Sequence, residues 1–505
     1  MAERQALDVS RRAPPRAGVR SQLASIPSAA WLCALIACLS AVSWSLITPA
    51  FQVPDEQAHF AYVEELARTH RLPTVSTQEY APDEVTALEA LETPRVSLQP
   101  EQRPIGSRAA QRQLESDVAS AVSTSSPGIG AAGVATSEPP LYYALETIPY
   151  ELGASGGVLD QLTLMRLMSA LMAGMSTLLV FLFLREALPS SPRAWTVAGL
   201  GVAFLPLLGF ISGAVNPDSL LCAISAALFY CFARAFRRGL TPRLGIIIAA
   251  LTAAGLLTKL NFLGLLPGVL LGLVLLARRS SQALGGRAAA RALLLALVIA
   301  LSPVWAYALV NVLSDHKPFG IASSVIAFTA SRHSLLGEAS YIWQLYLPRL
   351  PGMRVDFADV SPLRELWFNG LVGQYGFEDT FFPRWVENIA VIPALAIAAL
   401  AARELLAHTS ALSGRAGELG VYLTMAVGLL ILIGGSSYLS FPAEAAGFPE
   451  PRYLLPLLPL FGGVLALAAR GGGRRWGAAV GSLIVVLFIA HDLFSQLQEI
   501  ARFYG

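Results

Sequence analysis

Residues 29–47 read AAWLCALIACLSAVSWSLI, and a few positions later residues 53–60 read VPDEQAHF. An uncharged apolar run of this length makes a helix of about 28 Å at 1.5 Å per residue, close to the ~30 Å hydrocarbon core of a bilayer. It exceeds the apolar core of a secretory signal and contains Trp31 and Trp44, so it is expected to remain as an anchor. Ten more apolar segments follow, at 162–184, 195–215, 219–236, 243–258, 260–276, 292–312, 388–406, 419–440, 453–469 and 476–495. The fold class predicted is therefore an all-α polytopic membrane protein of about eleven transmembrane helices. Composition agrees: of 505 residues 54% are hydrophobic and only 14% charged, against about a quarter charged in soluble domains. A net charge of +2 with no long basic stretch excludes a generic nucleic-acid binder. All four cysteines (Cys33, Cys38, Cys222, Cys231) lie inside apolar segments and read as small hydrophobes, without a disulfide framework or a metal motif.

Arginine placement orients the chain. With a cytoplasmic N-terminus, the inner segments collect Arg11 and Arg12, Arg185, Arg237 and Arg238, Arg278 and Arg279, Arg403, and Arg474 and Arg475, while most carboxylates fall outside. The organisation expected is a basic tail at 1–28, one multi-pass domain at 29–495 and an outer C-terminal tail at 496–505. Two outer regions, 48–161 and 313–387, are too long to be mere connections. Within the first, residues 116–137 (SDVASAVSTSSPGIGAAGVATS) are low in bulky side chains and expected to be mobile.

Polar groups gather at the outer ends of these spans. In VPDEQAHF, Pro54 followed by Asp55 and Glu56 has two readings. One is an ordinary helix start, with proline at the first turn and acids at the positive helix end. The other is a functional acidic pair at the membrane edge, where a buried carboxylate needs a partner or a purpose. Neighbouring residues do not share a helix face, so Asp55 and Glu56 are expected to do different jobs, whereas Asp55 and His59 can share one. Tyr142 and Tyr143 close the first outer loop in EPPLYYAL. Asn216-Pro217-Asp218 forms an outer turn, for which ordinary turn and helix-cap chemistry is the favoured reading when it is seen alone. Lys259 is the one lysine in the helical core region, and Arg452, beside Tyr453 in EPRY, offers a planar fork suited to phosphate or to ordinary headgroups.

The motifs PDEQAHF, EPPLYYAL, NPDSL, KLNF, GQYGFEDTFFP and EPRYLLPLLP, in that order between about residues 40 and 465, resemble a bacterial family of multi-pass membrane proteins, domain of unknown function 2142. That family in turn resembles, more remotely, the C-type glycosyltransferases, which take a sugar from a polyprenyl-phosphate carrier outside the cytoplasmic membrane and carry an acidic motif in their first outer loop. The resemblance implies a C-type architecture with two large extracytoplasmic loops in a bacterial cytoplasmic membrane. It also implies an inverting transfer to an envelope glycan, lipid or protein acceptor. Asp55 would then be the base and Glu56 would orient the acceptor. Arg452 and Lys259 would hold the lipid phosphate. His59, Tyr142, Tyr143, Asn216, Asp218 and Tyr453 would line the substrate. No cofactor is required by this reading; a divalent metal near Asp55, Glu56 and His59 is an option without diagnostic spacing. The alternatives are a transporter or flippase of lipid-linked sugars, which would favour internal symmetry and midplane polar groups, and a non-catalytic subunit of polysaccharide assembly.

Overall fold

The computed structural model describes residues 24–73, 80–102, 138–284, 286–313, 334–357, 361–440 and 450–505, with isolated residues between them at 109, 112–113, 116–117, 135–136 and 318. The basic tail up to residue 23 and most of the 116–137 stretch lie outside the described residues. Among the described residues the regular secondary structure is helical except for one hairpin of two-residue strands.

Helix α1 (Ser28–Ile47) stops at Thr48, which takes extended backbone (φ −84°, ψ 119°) because Pro49 follows and a proline disfavours helix in the residue before it. Helices α2 (Glu56–Thr69), α3 (Pro82–Ala90) and α4 (Leu141–Leu152) belong to the 48–161 region. They share one apolar cluster, in which Phe60, Tyr62 and Val63 meet Leu88, Tyr143 and Tyr150. Helix α5 (Val158–Ala187) is longer than a bilayer core requires and packs against α1. The contact is close: a Cβ on Gly174 would lie 2.9 Å from the Ala34 carbonyl oxygen.

Helices α6 (Pro192–Ala203) and α7 (Pro206–Ser212) are an apolar pair bent by 52° at the break between them. Pro206 removes a helical donor and pushes Leu205 to extended backbone (ψ 110°), which is a sufficient cause of the bend. Helix α8 (Asp218–Arg238) packs along α5. Helix α9 (Pro242–Leu256) ends just before Lys259, whose backbone is extended (φ −158°, ψ 143°); a 3₁₀ segment, Leu260–Leu265, then leads into α10 (Leu266–Leu284). Helix α11 (Gly286–Leu313) precedes the 313–387 region, where α12 (Leu335–Tyr346), a π-turn (Pro362–Phe368) and α13 (Asn369–Gly373) are followed by the hairpin β1 (Gln374–Tyr375) and β2 (Thr380–Phe381). The strands are antiparallel, pairing Gln374 with Phe381 and Tyr375 with Thr380. Helices α14 (Arg384–Ala407) and α15 (Ala416–Ser440) follow. Pro451 and Pro456 keep Pro451–Leu457 as a 3₁₀ segment before α16 (Leu458–Gly471), and α17 (Gly473–Tyr504) ends the chain.

Among the described residues nine helices are long and apolar enough to cross a membrane, or ten with the bent pair counted as one span. The expected eleven need two corrections. The 195–215 segment is broken at its centre, and the 243–258 segment is a 15-residue helix of about 22 Å, short of the hydrocarbon thickness. The expected tail at 496–505 is helical through Tyr504, with Glu499, Arg502 and Phe503 buried.

A polar seam joins the first span to the last. Ser40 Oγ and Trp44 Nε1 donate to Asp492 (3.1 and 3.0 Å), Ser43 to Gln496 (2.7 Å) and Thr48 to Glu499 (3.2 Å). Hydrogen-bonded pairing is what permits such groups at membrane depth. Trp44 also packs edge-on against Phe210 and at a tilt against Tyr375, and the Tyr375 hydroxyl donates to Ser495 Oγ at 3.0 Å. The hairpin is thus anchored in the bundle by its one large buried side chain.

Candidate functional site

Three breaks in regular helix deliver the site: the turn after α1, the loop at Lys259 and the 3₁₀ segment at Pro451. Each places a charged residue where helix-end geometry frees its side chain to point into the bundle. Arg452, only 3% exposed, is the hub. Its Nη2 donates to Asp55 Oδ2 at 2.8 Å and to Glu450 Oε1 at 2.7 Å, its Nε lies against Glu450 Oε2, and its Nε is 3.9 Å from Asp218 Oδ2. Lys259 Nζ completes the chain with a 2.9 Å ion pair to Asp218 Oδ2. The Tyr453 ring lies beneath both cations, 5.5 Å from Lys259 and 5.8 Å from Arg452, and its hydroxyl donates to Glu450 at 3.2 Å. Asp55, Asp218, Lys259, Arg452 and Tyr453, spread over nearly four hundred residues of sequence, therefore meet at one end of the bundle.

Asp55 is the accessible member, with its side chain 35% exposed against 4% for Arg452. It sits in left-handed backbone (φ 65°) at the head of α2, a conformation uncommon outside glycine and often kept at functional positions. Burial pushes its carboxyl up, but the Arg452 charge and hydrogen bond, with a smaller pull from Lys259, outweigh it and hold Asp55 below the usual carboxylate range. His59 is neutral: burial lowers its pKa to about 3 despite the pull of Asp55, and Nδ1 lies 2.9 Å from the Tyr143 hydroxyl. Tyr143 in turn stacks on Tyr62 at 3.7 Å between ring centres. Glu138, from the EPP motif, is pushed up by burial although Lys259 pulls it down.

Other predicted residues face elsewhere. Glu56 is fully buried and spends both oxygens internally. Oε1 accepts from Arg166 Nε (2.7 Å) and Val215 N (3.1 Å), and Oε2 from Arg166 Nη2 (2.6 Å) and Phe51 N (3.0 Å). No lone pair is left to orient an acceptor, so that expected role is corrected to a structural one. Tyr142 bonds Ser169 at 2.8 Å on the far side of α4. Asn216 Oδ1 accepts from the Asp218 amide at 2.9 Å, so it shapes the turn that aims Asp218. The suggested metal set does not fit either: Asp55 faces Arg452, Glu56 faces Arg166 and His59 faces Tyr143. Among the described residues no group of three or more His, Cys, Asp or Glu side chains is placed to hold a metal ion.

A small pocket, half open to the surroundings, lies beside the hub. Leu207, Phe210 and Ile211 of α7 form an apolar wall, and Glu378, Glu450 and Arg452 form a polar one. Glu378 comes from the β1–β2 turn, again in left-handed backbone (φ 62°). Burial, then the neighbouring Glu450 carboxylate, raises its pKa. The next residue, Asp379, pairs with buried Arg502 at 2.7 Å, and Arg502 also donates to the carbonyls of Val96 (2.9 Å), Gln99 (3.1 Å) and Gln102 (2.5 Å). Arg166, Glu378 and Arg502 were not singled out from sequence. Arg166 carried a readable signal, an arginine inside the apolar 162–184 segment. Glu378 lies inside the GQYGFEDTFFP motif, which marked the loop but not this side chain, and Arg502 offered no signal without knowledge of which loop meets the last helix.

The profile of the family described as predicted membrane protein (DUF2142) matches residues 38–461. No curated protein matches the chain. Among solved structures, ArnT from Cupriavidus metallidurans bound to undecaprenyl phosphate is similar at 13% identity. That match covers 93% of this chain and 75% of that one, with a TM-score of 0.45. The oligosaccharyltransferase of Archaeoglobus fulgidus, in complex with zinc and sulfate, is similar at 13% identity over 94% of this chain and 53% of that one, with a TM-score of 0.45.

Proposed function

The chain belongs to the DUF2142 family of membrane proteins, and from that premise we propose that it is an inverting glycosyltransferase. It would work at the outer face of a bacterial cytoplasmic membrane, moving a sugar from a polyprenyl-phosphate donor to an envelope glycan, lipid or protein. The observation that carries the reading is the buried Arg452 held between an accessible carboxylate, Asp55, and the Asp218–Lys259 pair. Such a fork suits a phosphate, and the carboxylate beside it suits a hydroxyl proton.

The charges also dictate an order of events. Arg452 is already occupied by Asp55 and Glu450, so an incoming donor phosphate binds by displacing Asp55 from the guanidinium. Release from Arg452 removes the largest influence lowering Asp55 and makes it a stronger base. The acceptor oxygen then attacks the anomeric carbon opposite the phosphate, its proton passing to Asp55. The bond between that carbon and the phosphate oxygen breaks, and its electron pair leaves on the lipid phosphate. The phosphate gains one negative charge in this step, so Arg452 and Lys259 stabilise the transition state more than the bound donor. Base assistance of this kind contributes roughly 10²–10⁴ in rate.

The test is transfer from a panel of labelled polyprenyl-phosphate pentoses and hexoses in vesicles containing the whole chain. Asp55→Asn should insert at normal abundance and lose transfer by about 10² or more. Full activity in that variant removes Asp55 as the base. Translocation of the lipid-linked sugar with no glycosylated product would point instead to a flippase.

A further inference from the structure

Lys259 is placed by a loop from another part of the chain. Helix α9 and the 3₁₀ segment stop on either side of it, and such ends leave carbonyls and amides without helical partners. The EPPL stretch at 138–141 supplies a partner to one of each. Leu141 N donates to the Leu257 carbonyl at 2.8 Å, and the Glu138 carboxyl accepts from the Leu260 amide. Pro139 and Pro140 have no amide to give, so Leu141 is the first backbone donor after Glu138, and the two contacts come from opposite ends of one four-residue stretch. Lys259 lies between the two bonded groups, in extended backbone (φ −158°, ψ 143°).

The other oxygen of Glu138, Oε2, is buried without a hydrogen-bond partner among the described residues, and Lys259 gives its ammonium to Asp218 instead. Burying a carboxyl in this way is costly, and the position of the Leu260 amide is what that cost maintains. The same residue is also tied to α2: the Tyr62 hydroxyl donates to the Glu138 carbonyl at 3.4 Å, and the Tyr62 ring stacks on Tyr143. One residue thus links the helix headed by Asp55 to the break that carries Lys259. We propose that Glu138 is a positioning residue for Lys259, clamping with Leu141 the break in which that lysine sits and so fixing its ammonium for the donor phosphate. This rests on the reading of Arg452 and Lys259 as the cations that hold the lipid phosphate. Glu138 acts through the backbone on either side of Lys259 and touches no reacting atom.

The experiment uses the whole chain in nanodiscs and reads two quantities: binding of bare polyprenyl phosphate, and hydrogen exchange in the Leu260–Leu265 segment. Glu138→Ala should weaken lipid binding about tenfold, the scale of one lost hydrogen bond, and accelerate exchange in that segment. Glu138→Gln keeps an acceptor oxygen for the Leu260 amide, so it should match the parent in exchange and bind the lipid no more weakly. The sign is diagnostic, because removing a carboxyl from beside the phosphate site would, by charge alone, tighten binding or leave it unchanged. In a Lys259→Met background, Glu138→Ala should cost little more, since the group it positions is gone. Unchanged or tighter binding in Glu138→Ala, equal weakening in Glu138→Gln, or simple additivity with Lys259→Met overturns the proposal. So does parental exchange in Glu138→Ala while Lys259→Met still binds weakly. If Lys259→Met itself binds the lipid like the parent, the phosphate reading has failed and the proposal falls with it. None of these measurements depends on turnover, so the role of Asp55 as a base is tested separately.

Discussion

Asp55 and Glu56 are neighbours with opposite fates. Sequence reasoning separated them because consecutive helical residues point to different faces, and the structure sends Asp55 to Arg452 and Glu56 to Arg166. Their sequence order could not say which faces substrate, since both are acids at a helix start. The deciding partner, Arg166, lies 110 residues away and also donates to the carbonyls of Ser45, Thr48 and Pro49. It thereby satisfies acceptors that the end of α1 leaves open. Removing one member of a buried pair leaves the other uncompensated, at a cost of roughly 3–5 kcal/mol. Glu56→Gln should therefore lower the thermal unfolding midpoint in detergent well below that of Asp55→Asn. A Glu56→Gln protein as stable as Asp55→Asn, yet inactive in transfer, would return Glu56 to the chemistry.

At the scale of elements, apolar runs located every span, because a bilayer selects for length and hydropathy and both are local properties. Interruptions were harder to read. Lys259 was noticed as a break between 243–258 and 260–276, whereas Pro206 inside 195–215 passed as part of a continuous helix. Both breaks shape the candidate site, for regular helix would leave Lys259 and Leu207, Phe210 and Ile211 of α7 elsewhere. Helix α3 shows the same dependence on context. Its Glu84 is fully buried, and neither carboxyl oxygen has a hydrogen-bond partner among the described residues. Burial, then Glu64 and Asp83, raise the Glu84 pKa well above the ordinary value, and burial with Asp83 raises Glu64 to about 7 despite Arg68 and Tyr150. Both groups hold protons more tightly folded than unfolded. Docking of α3 is thus most stable at acid pH, weakens above the ordinary carboxylate pKa, and has lost the Glu64 contribution once pH passes about 7. Hydrogen exchange in residues 82–90 should accelerate from about pH 5 to about pH 8, and Glu84→Gln should flatten that rise. An unchanged slope in the variant would remove Glu84 as the titrating group.

For the whole molecule, the first and last spans close the bundle against each other, and the last helix reaches back to the loops that frame the pocket. Sequence reading ended this span at residue 495 because Gln496, Gln498, Glu499 and Arg502 look like a solvated tail. Glu499 and Arg502 are nevertheless buried, and that follows only from what packs on them: Thr48 takes Glu499, and Asp379 with the carbonyls of Val96, Gln99 and Gln102 takes Arg502. A polar helix end and a polar helix face buried on polar partners have the same sequence signature. Arg502 is a positioning residue, since it touches the hairpin that carries Glu378 and lies outside the pocket lining. Arg502→Met should raise KM for the sugar donor several-fold, with kcat reduced less. A double-mutant cycle with Asp379→Asn discriminates further. If Arg502 acts through the hairpin, the second substitution adds little to the first. If the two effects simply add, Arg502 supports the fold by another route and the hairpin is held by Tyr375 alone.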